Sequence, residues 1–257
     1  MEIVTYNVNG IKARLPRLLE YLDEQQPEVV CLQELKSPDE GFPGAEIAAR
    51  GYGALWHGQK SWNGVAVLAR GATPTLRRVG LPGDETDEQS RYIEVEVEDT
   101  VIASLYLPNG NPQPGPKFDY KLAWMKRLAE HARTLLAEER PVVLAGDYNV
   151  VPTDADVFSA AKTVDDALLR PESRAHFRAL LSQGWTDAMR ALHPDERIYT
   201  FWDYQMGAWQ RDAGFRIDFL LLSPQAADRL VETQVDKAYR GREKASDHAP
   251  TWARLEA

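Results

Sequence analysis

A short apolar run rich in β-branched residues recurs along this chain, and that recurrence restricts the fold more than any other feature. The runs are Ile3 to Tyr6, Val29 to Leu32, Val65 to Leu68, Tyr92 to Val97, Val101 to Leu105, Val142 to Ala145, Phe219 to Leu222 and Thr251 to Leu255. Each is the length of a strand, so the chain must build a large sheet system. Tyr92 to Glu98 alternates apolar and acidic residues, the pattern of an antiparallel strand with one wet face. Helical patterns lie between the runs. In Phe118 to Leu136 the residues Phe118, Leu122, Met125, Ala129, Ala132 and Leu136 fall three or four apart, which predicts a stripe packed on a sheet. Further helices are expected over Pro16 to Gln25, Pro43 to Arg50 and Ser173 to Gln183, and Gly71 to Gln89 and Asn109 to Lys117 read as loop insertions. No fixed-period repeat, Gly/Ser linker or composition shift divides residues 1–257, so one domain is expected. Mixed strands with helices between them predict an α/β fold of two packed, mixed β-sheets flanked by helices, an α/β sandwich. The alternative, a doubly wound parallel sheet, lacks the Gly-rich phosphate loop that would support it.

Composition narrows the class of function. With 44% hydrophobic and 27% charged residues the chain is globular, and at 257 residues it needs neither disulfides nor a structural metal to fold. Its one cysteine, Cys31, sits in the apolar run Val29 to Leu32 and reads as a buried, inert thiol. A net charge of -9 argues against nonspecific binding to nucleic acid or acidic membranes through bulk charge, while leaving room for a local basic track. The opening residues Met1 to Tyr6 carry no leader pattern and the apolar stretches are too short to cross a membrane. A cytoplasmic protein with no membrane partner is therefore expected.

Chemically capable side chains gather at the strand ends. Asn7 and Asn9 follow the first run, Glu34 the second, Tyr106 ends Val101 to Leu105, and Asp147 and Asn149 follow Val142 to Ala145. Asp218 begins Ile217 to Leu222, and Asp247 and His248 precede the last run. Strands running the opposite way start where the others finish, so a mixed sheet system can bring all these groups to one rim. Singly, each has a structural explanation: an Asx turn at Gly146 to Asn149, a surface residue at Glu34, a capped turn at Ser246 to His248, a half-buried aromatic at Tyr106. Those explanations require the clustering to be an accident. A hard oxygen cage from Glu34, Asp247 or Asp147, and the amide of Asn7 suits Mg²⁺, with Mn²⁺ able to substitute, and a single cysteine argues against thiolate zinc. Such a metal, a His paired with a carboxylate, and amide and phenol donors together make a kit for phosphodiester hydrolysis.

The runs Tyr6 to Arg14, Leu32 to Lys36, Tyr106 to Gly110, Gly146 to Asn149, Arg216 to Phe219 and Ser246 to Pro250 resemble, in order, the motifs of the exonuclease III family of abasic-site endonucleases, within the endonuclease/exonuclease/phosphatase superfamily. The resemblance spans residues 3 to 254, and Phe42-Pro43, Trp56 to Lys60 and Thr200 to Tyr204 also look specific to exonuclease III. It implies a four-layered α/β sandwich and a metal-dependent DNA repair nuclease that cuts on the 5′ side of an abasic sugar, leaving a 3′-hydroxyl and a 5′-deoxyribose phosphate. A 3′-5′ exonuclease and a 3′-phosphatase activity are implied beside it. By the same resemblance Glu34 is the main metal carboxylate, with Asn7 and Asp247 near it. Asp147 orients or deprotonates the attacking water, Asn149 helps place it, and His248, paired with Asp218, and Tyr106 contact the scissile phosphate. Asp147 and the His248–Asp218 pair remain alternative bases.

An abasic sugar has no base edge to read and is turned out of the helix at little cost, so selection by shape is expected. The resemblance assigns the apolar pocket to Phe201, Trp202, Phe215 and Ile217; Phe215 and Ile217 share one side of an extended segment, and Phe201 and Trp202 read alone are core aromatics. Asn109 lies on a proline-rich loop of the kind that contacts DNA in the family. Duplex DNA carrying abasic sites or 3′ ends is the expected partner, its backbone gripped by Lys12, Arg14, Lys60, Arg91, Lys117 and Lys121, each of which read singly is a solvated surface cation. Two further readings are a mainly 3′-5′ exonuclease with weak abasic incision, and a nonenzymatic nucleic-acid-binding relative; the presence of Glu34, Asp147, Asn149, Asp218 and His248 opposes the second.

Overall fold

The computed structural model describes residues 1–256. In chain order its elements are β1 (Glu2–Asn7), α1 (Ile11–Gln25), β2 (Val29–Gln33), α2 (Gly44–Ala48), β3 (Tyr52–His57), β4 (Val65–Arg70), β5 (Thr75–Val79), β6 (Tyr92–Val97), β7 (Thr100–Tyr106), α3 (Pro116–Leu136) and β8 (Val142–Asp147). There follow α4 (Pro171–Leu181), β9 (Thr186–Asp187), α5 (Ala188–Leu192), β10 (Asp218–Leu222), α6 (Pro224–Ala227), β11 (Leu230–Val235), α7 (Lys237–Arg240) and β12 (Thr251–Leu255), with short 3₁₀ turns between. Every apolar run singled out in the sequence is a strand. They assemble into two 6-stranded sheets, ordered β11-β12-β1-β2-β4-β3 and β5-β6-β7-β8-β10-β9.

Strand alternation builds the layers. Ile3, Val29, Cys31, Val65 and Val67 of the first sheet face Ile93, Val95, Ile102, Val143, Leu220 and Leu222 of the second, so the sheets pack face to face. The other faces take Val4, Tyr6, Val30 and Leu32 against Leu18, Tyr21 and Leu22 of α1, and Val101, Leu105, Val142 and Leu144 against Trp124, Leu128 and Leu135 of α3. The result is the four-layered α/β sandwich. Cys31 is buried between the sheets. No helix among the described residues is long and apolar enough to cross a membrane.

Several local expectations change. The stripe of α3 is rotated from the one predicted: Phe118, Lys121, Trp124, Met125, Leu128, Ala132 and Leu135 are buried, and Leu122, Ala129 and Leu136 are its partly covered margin. α1 starts at Ile11 and runs through Pro16, which is tolerated because the Lys12 carbonyl it leaves unpaired lies on the exposed side with Lys12 and Pro16. The acidic face of β6 is not simply wet. Glu94 is buried beneath α3, where its carboxylate accepts from Tyr92 and Arg77 and meets His131 at 2.7 Å. The segment Gly71 to Gln89, expected as loop, contains the edge strand β5.

Register then sets the rim. β1 and β2 are parallel with Asn7 opposite Gln33, and β7 and β8 are parallel with Tyr106 opposite Asp147. β10 runs antiparallel to β8 with Asp218 opposite Asp147, and β12 runs antiparallel to β1. The exits of four strands and the entries of two thus meet at one end of both sheets.

Candidate active site

Asn7, the last residue of β1, is the hinge between the sheets. Its amide nitrogen donates to Glu34 Oε1 and to Asp147 Oδ2, each at 2.9 Å, while its Oδ1 accepts from the Asn9 backbone N–H at 3.0 Å. Because a backbone N–H can only donate, this contact fixes which end of the amide faces the carboxylates. Asn7 therefore clamps two carboxylates together and does not present an oxygen ligand, a correction to the expected cage. Glu34 sits just past β2 at φ 51, with Lys36 Nζ 2.8 Å from its Oε2. Burial would raise the Glu34 carboxyl, but the Lys36 ammonium and the Asn7 amide hold it below its ordinary value.

Asp147 accepts from the Asn149 backbone N–H at 2.9 Å through Oδ1. Burial, together with the nearby Asp218 and Glu34 charges, pushes its carboxyl up to about 7, against the lowering pull of His248 and Asn7. His248 Nδ1 lies 2.8 Å from Asp218 Oδ2, and His248 Nε2 faces Asp147 Oδ2 at 3.8 Å. Burial works against the imidazolium, but Asp218 and Asp147 outweigh it and raise His248 to about 10. The Asp218 and Ile217 backbone N–H groups both donate to Thr200 Oγ1 at 3.1 Å, and Ser246 Oγ donates to the Asn7 carbonyl at 2.6 Å, so both ends of the pair are anchored. Tyr106 at the end of β7 is held neutral, its phenol raised well above the ordinary value by burial and by Glu34 and Asp147. It is a donor.

Glu34, Asp147 and His248 each offer a ligand atom within 4.8 Å of the others. An imidazolium cannot ligate, so the two carboxylates are the pair suited to a hard divalent cation, whose remaining positions water and phosphate oxygens can fill. Asp247 lies outside that trio; its Oδ1 accepts from Asn9 Nδ2 at 3.0 Å on the pocket rim.

A cavity of about 340 Å³ opens over these groups. Phe201, Phe215 and Ile217 line it, with Phe201 packed on the His248 ring at 4.9 Å. Trp202 does not: it is fully buried behind the pocket against Tyr199 and Trp209, its Nε1 donating to Asp212 at 2.8 Å. Neighbours in an extended segment point to opposite sides, so the Phe201 side chain that faces the pocket sends Trp202 into the core. Asp203, within the Thr200 to Tyr204 run, joins the lining, as do Leu168, Asp166 and Ala213, which carry no sequence signal.

The basic set divides. Lys12 is exposed beside the rim, Arg14 Nη2 donates to Tyr204 Oη at 2.9 Å, and Arg91 stacks over the Tyr106 ring at 4.8 Å. Lys60 is exposed, and Lys117, with Arg91 and Asn109, borders an adjoining groove. Lys121 is a second correction. It is fully buried and cannot reach a DNA phosphate. Asn109 Nδ2 donates to Asn149 Oδ1 at 3.1 Å and so belongs to the site's framework.

Residues 4–248 match the profile of the Endonuclease/Exonuclease/phosphatase family. The chain is 32% identical to exodeoxyribonuclease III of Haemophilus influenzae over 98% of its own length and 99% of that protein. Among solved structures, a Neisseria 3′ phosphatase bound to a product DNA hairpin is 36% identical with a TM-score of 0.97, both chains covered in full. An AP endonuclease from Archaeoglobus fulgidus is 34% identical with a TM-score of 0.96, also with both chains covered in full.

Proposed function

The chain belongs to the endonuclease/exonuclease/phosphatase family, and from that premise we propose that it is a DNA repair nuclease that hydrolyses the phosphodiester 5′ to an abasic sugar, as one domain acting as a monomer on duplex DNA. The observation that carries this reading is the placement of Asp147: clamped by Asn7 and Asn149, 3.8 Å from His248 Nε2, at the floor of a cavity with an aromatic wall.

Each side chain has a task set by its chemistry. Asp147 is the carboxylate placed to take a proton from water, its Oδ1 held by the Asn149 N–H and its Oδ2 turned toward His248. His248 is already protonated while Asp218 holds it, which favours Asp147 over His248 as base and leaves His248 to hold a phosphoryl oxygen by charge. Tyr106 donates its phenol proton to a second oxygen of the same phosphate. Mg²⁺, or Mn²⁺ in its place, held by Glu34 and Asp147 would supply a Lewis acid for the phosphoryl oxygens. Phe201, Phe215 and Ile217 enclose the sugar and exclude water, and an abasic sugar fits where a base would collide. Lys12, Arg14 and Arg91 take the flanking phosphates. A 3′-terminal phosphate reaches the same groups without filling the aromatic wall, so 3′-phosphatase and 3′-5′ exonuclease activities accompany incision.

The test compares duplexes carrying one tetrahydrofuran abasic analogue, a 3′-phosphate or neither, in Mg²⁺ and in EDTA. Mg²⁺-dependent incision at the analogue supports the reading. Degradation from 3′ ends alone would transfer it to the exonuclease, and no cleavage of any substrate would refute it.

A further inference from the structure

Lys121 is buried on α3, yet its ammonium is not idle: it donates to the backbone carbonyls of Asn109, at 3.0 Å, and of Asn149. A buried cation persists only where its donors are matched. Here the two acceptors lie on different loops, the ones that follow β7 and β8 and so carry the residues after Tyr106 and Asp147.

The loops need holding. Asn149 adopts φ 47, in the left-handed region that a side chain enters at a cost. Its backbone N–H supports Asp147, its Nδ2 donates to the Leu107 carbonyl at 2.9 Å, and its Oδ1 accepts from Asn109. On the other loop Gly110, at φ 92, lies so close that a Cβ there would come within 2.7 Å of Lys121 Cδ. The lysine stem is thus enclosed by one loop while its head ties both.

We infer that Lys121 is a positioning residue, whose ammonium staples the β7 and β8 loops and thereby fixes Asn149 and, through it, the Asp147 carboxylate. This rests on the nuclease reading above. Two competing roles make different demands: a phosphate contact governs affinity and its salt dependence, and a mere core filler governs folding.

Wild-type protein is first assayed on the tetrahydrofuran duplex in Mg²⁺, where absence of cleavage would sink the nuclease reading itself. Given cleavage, Lys121→Met is expected to lower the single-turnover rate roughly 10²-fold, the scale of a misplacement near 1 Å, with duplex affinity and the slope of log affinity against log salt unchanged. Weaker binding with the slope reduced by about one would make Lys121 a phosphate contact and overturn the inference. So would a rate equal to wild type, or a loss no larger than the unfolded fraction measured by circular dichroism at the assay temperature. If Lys121→Met does not fold, Lys121→Gln decides by the same criteria.

Discussion

Replacing Arg216 with leucine tests whether the pocket wall is held by buried charge. Arg216 lies between the pocket residues Phe215 and Ile217, but its side chain points away, into a site 2% exposed. There Nε meets Asp156 Oδ1 and Nη1 meets Asp187 Oδ2, both at 2.7 Å, and the guanidinium covers the Phe219 ring at 4.6 Å. Removing one partner of a buried ion pair costs about 3–5 kcal/mol. Asp156 retains Arg190 at 2.7 Å, and Asp187 still caps α5 by accepting from the Met189 N–H, so the lower end, about 3 kcal/mol, applies. For a chain this size that lowers the melting temperature by about 6–12 °C. The pH dependence has a definite sign. Burial would raise Asp156, but Arg216 and Arg190 hold it below its ordinary value, so its contribution is present above the unfolded pKa and is lost as pH falls through the folded one. The variant has already lost part of it. In urea unfolding, the gap between wild type and Arg216→Leu is therefore steady from pH 7 down to about pH 4 and narrows as the pH falls below the ordinary aspartate value of 3.8. A gap under about 0.5 kcal/mol at pH 7, the range of an ordinary surface substitution, or one that widens on acidification, refutes the argument.

Two further outcomes follow from the site. Asp147→Asn keeps a side chain of the same shape but no base, so single-turnover cleavage should fall by about 10² to 10⁴ while duplex binding in a gel-shift assay is retained; full activity would remove Asp147 from the chemistry. Phe215→Ala should reduce incision at the abasic analogue more than 3′-phosphate removal, whereas Trp202→Ala should lower both only through stability, by about 3–5 kcal/mol in urea unfolding, and a selective loss in the tryptophan variant would return it to the pocket.

Much of this arrangement is legible in the sequence because burial and chemistry leave separate marks. Fully buried strands such as β2 and β8 are read from their apolar runs, and the polar residues at or just past their ends, Glu34, Asp147 and Asn149, belong to the site. The strands without an apolar run have weaker marks: β3, β5 and β11 are sheet edges with partly covered or exposed residues, and β9 has only two residues. Likeness to a motif puts Trp202 in the pocket, whereas alternation from Phe201 points it inward. The charge of Lys121 suggests the surface, but it falls three residues after Phe118 and four before Met125, on the buried stripe of α3. Leu168 and Asp166 come from an irregular segment whose path only tertiary packing decides. Asn7 offered both ends of its amide, and only the Asn9 N–H selects one.

The carboxylates that Asn7 joins do not belong to the same sheet. Glu34 rides on the first and Asp147 on the second, and between the strands that carry them lies the interleaved interior of Val29, Cys31, Ile102 and Val143. The spacing at the reactive end is therefore a caliper reading of how thick that interior is. A close-packed core does not compress to absorb an added methylene, so one inserted there spreads the jaws, and under the proposed Mg²⁺ assignment the metal–oxygen distances tolerate only about 0.1–0.2 Å. Side chains far from any substrate are thus machined to the tolerance of the chemistry and not merely to that of folding.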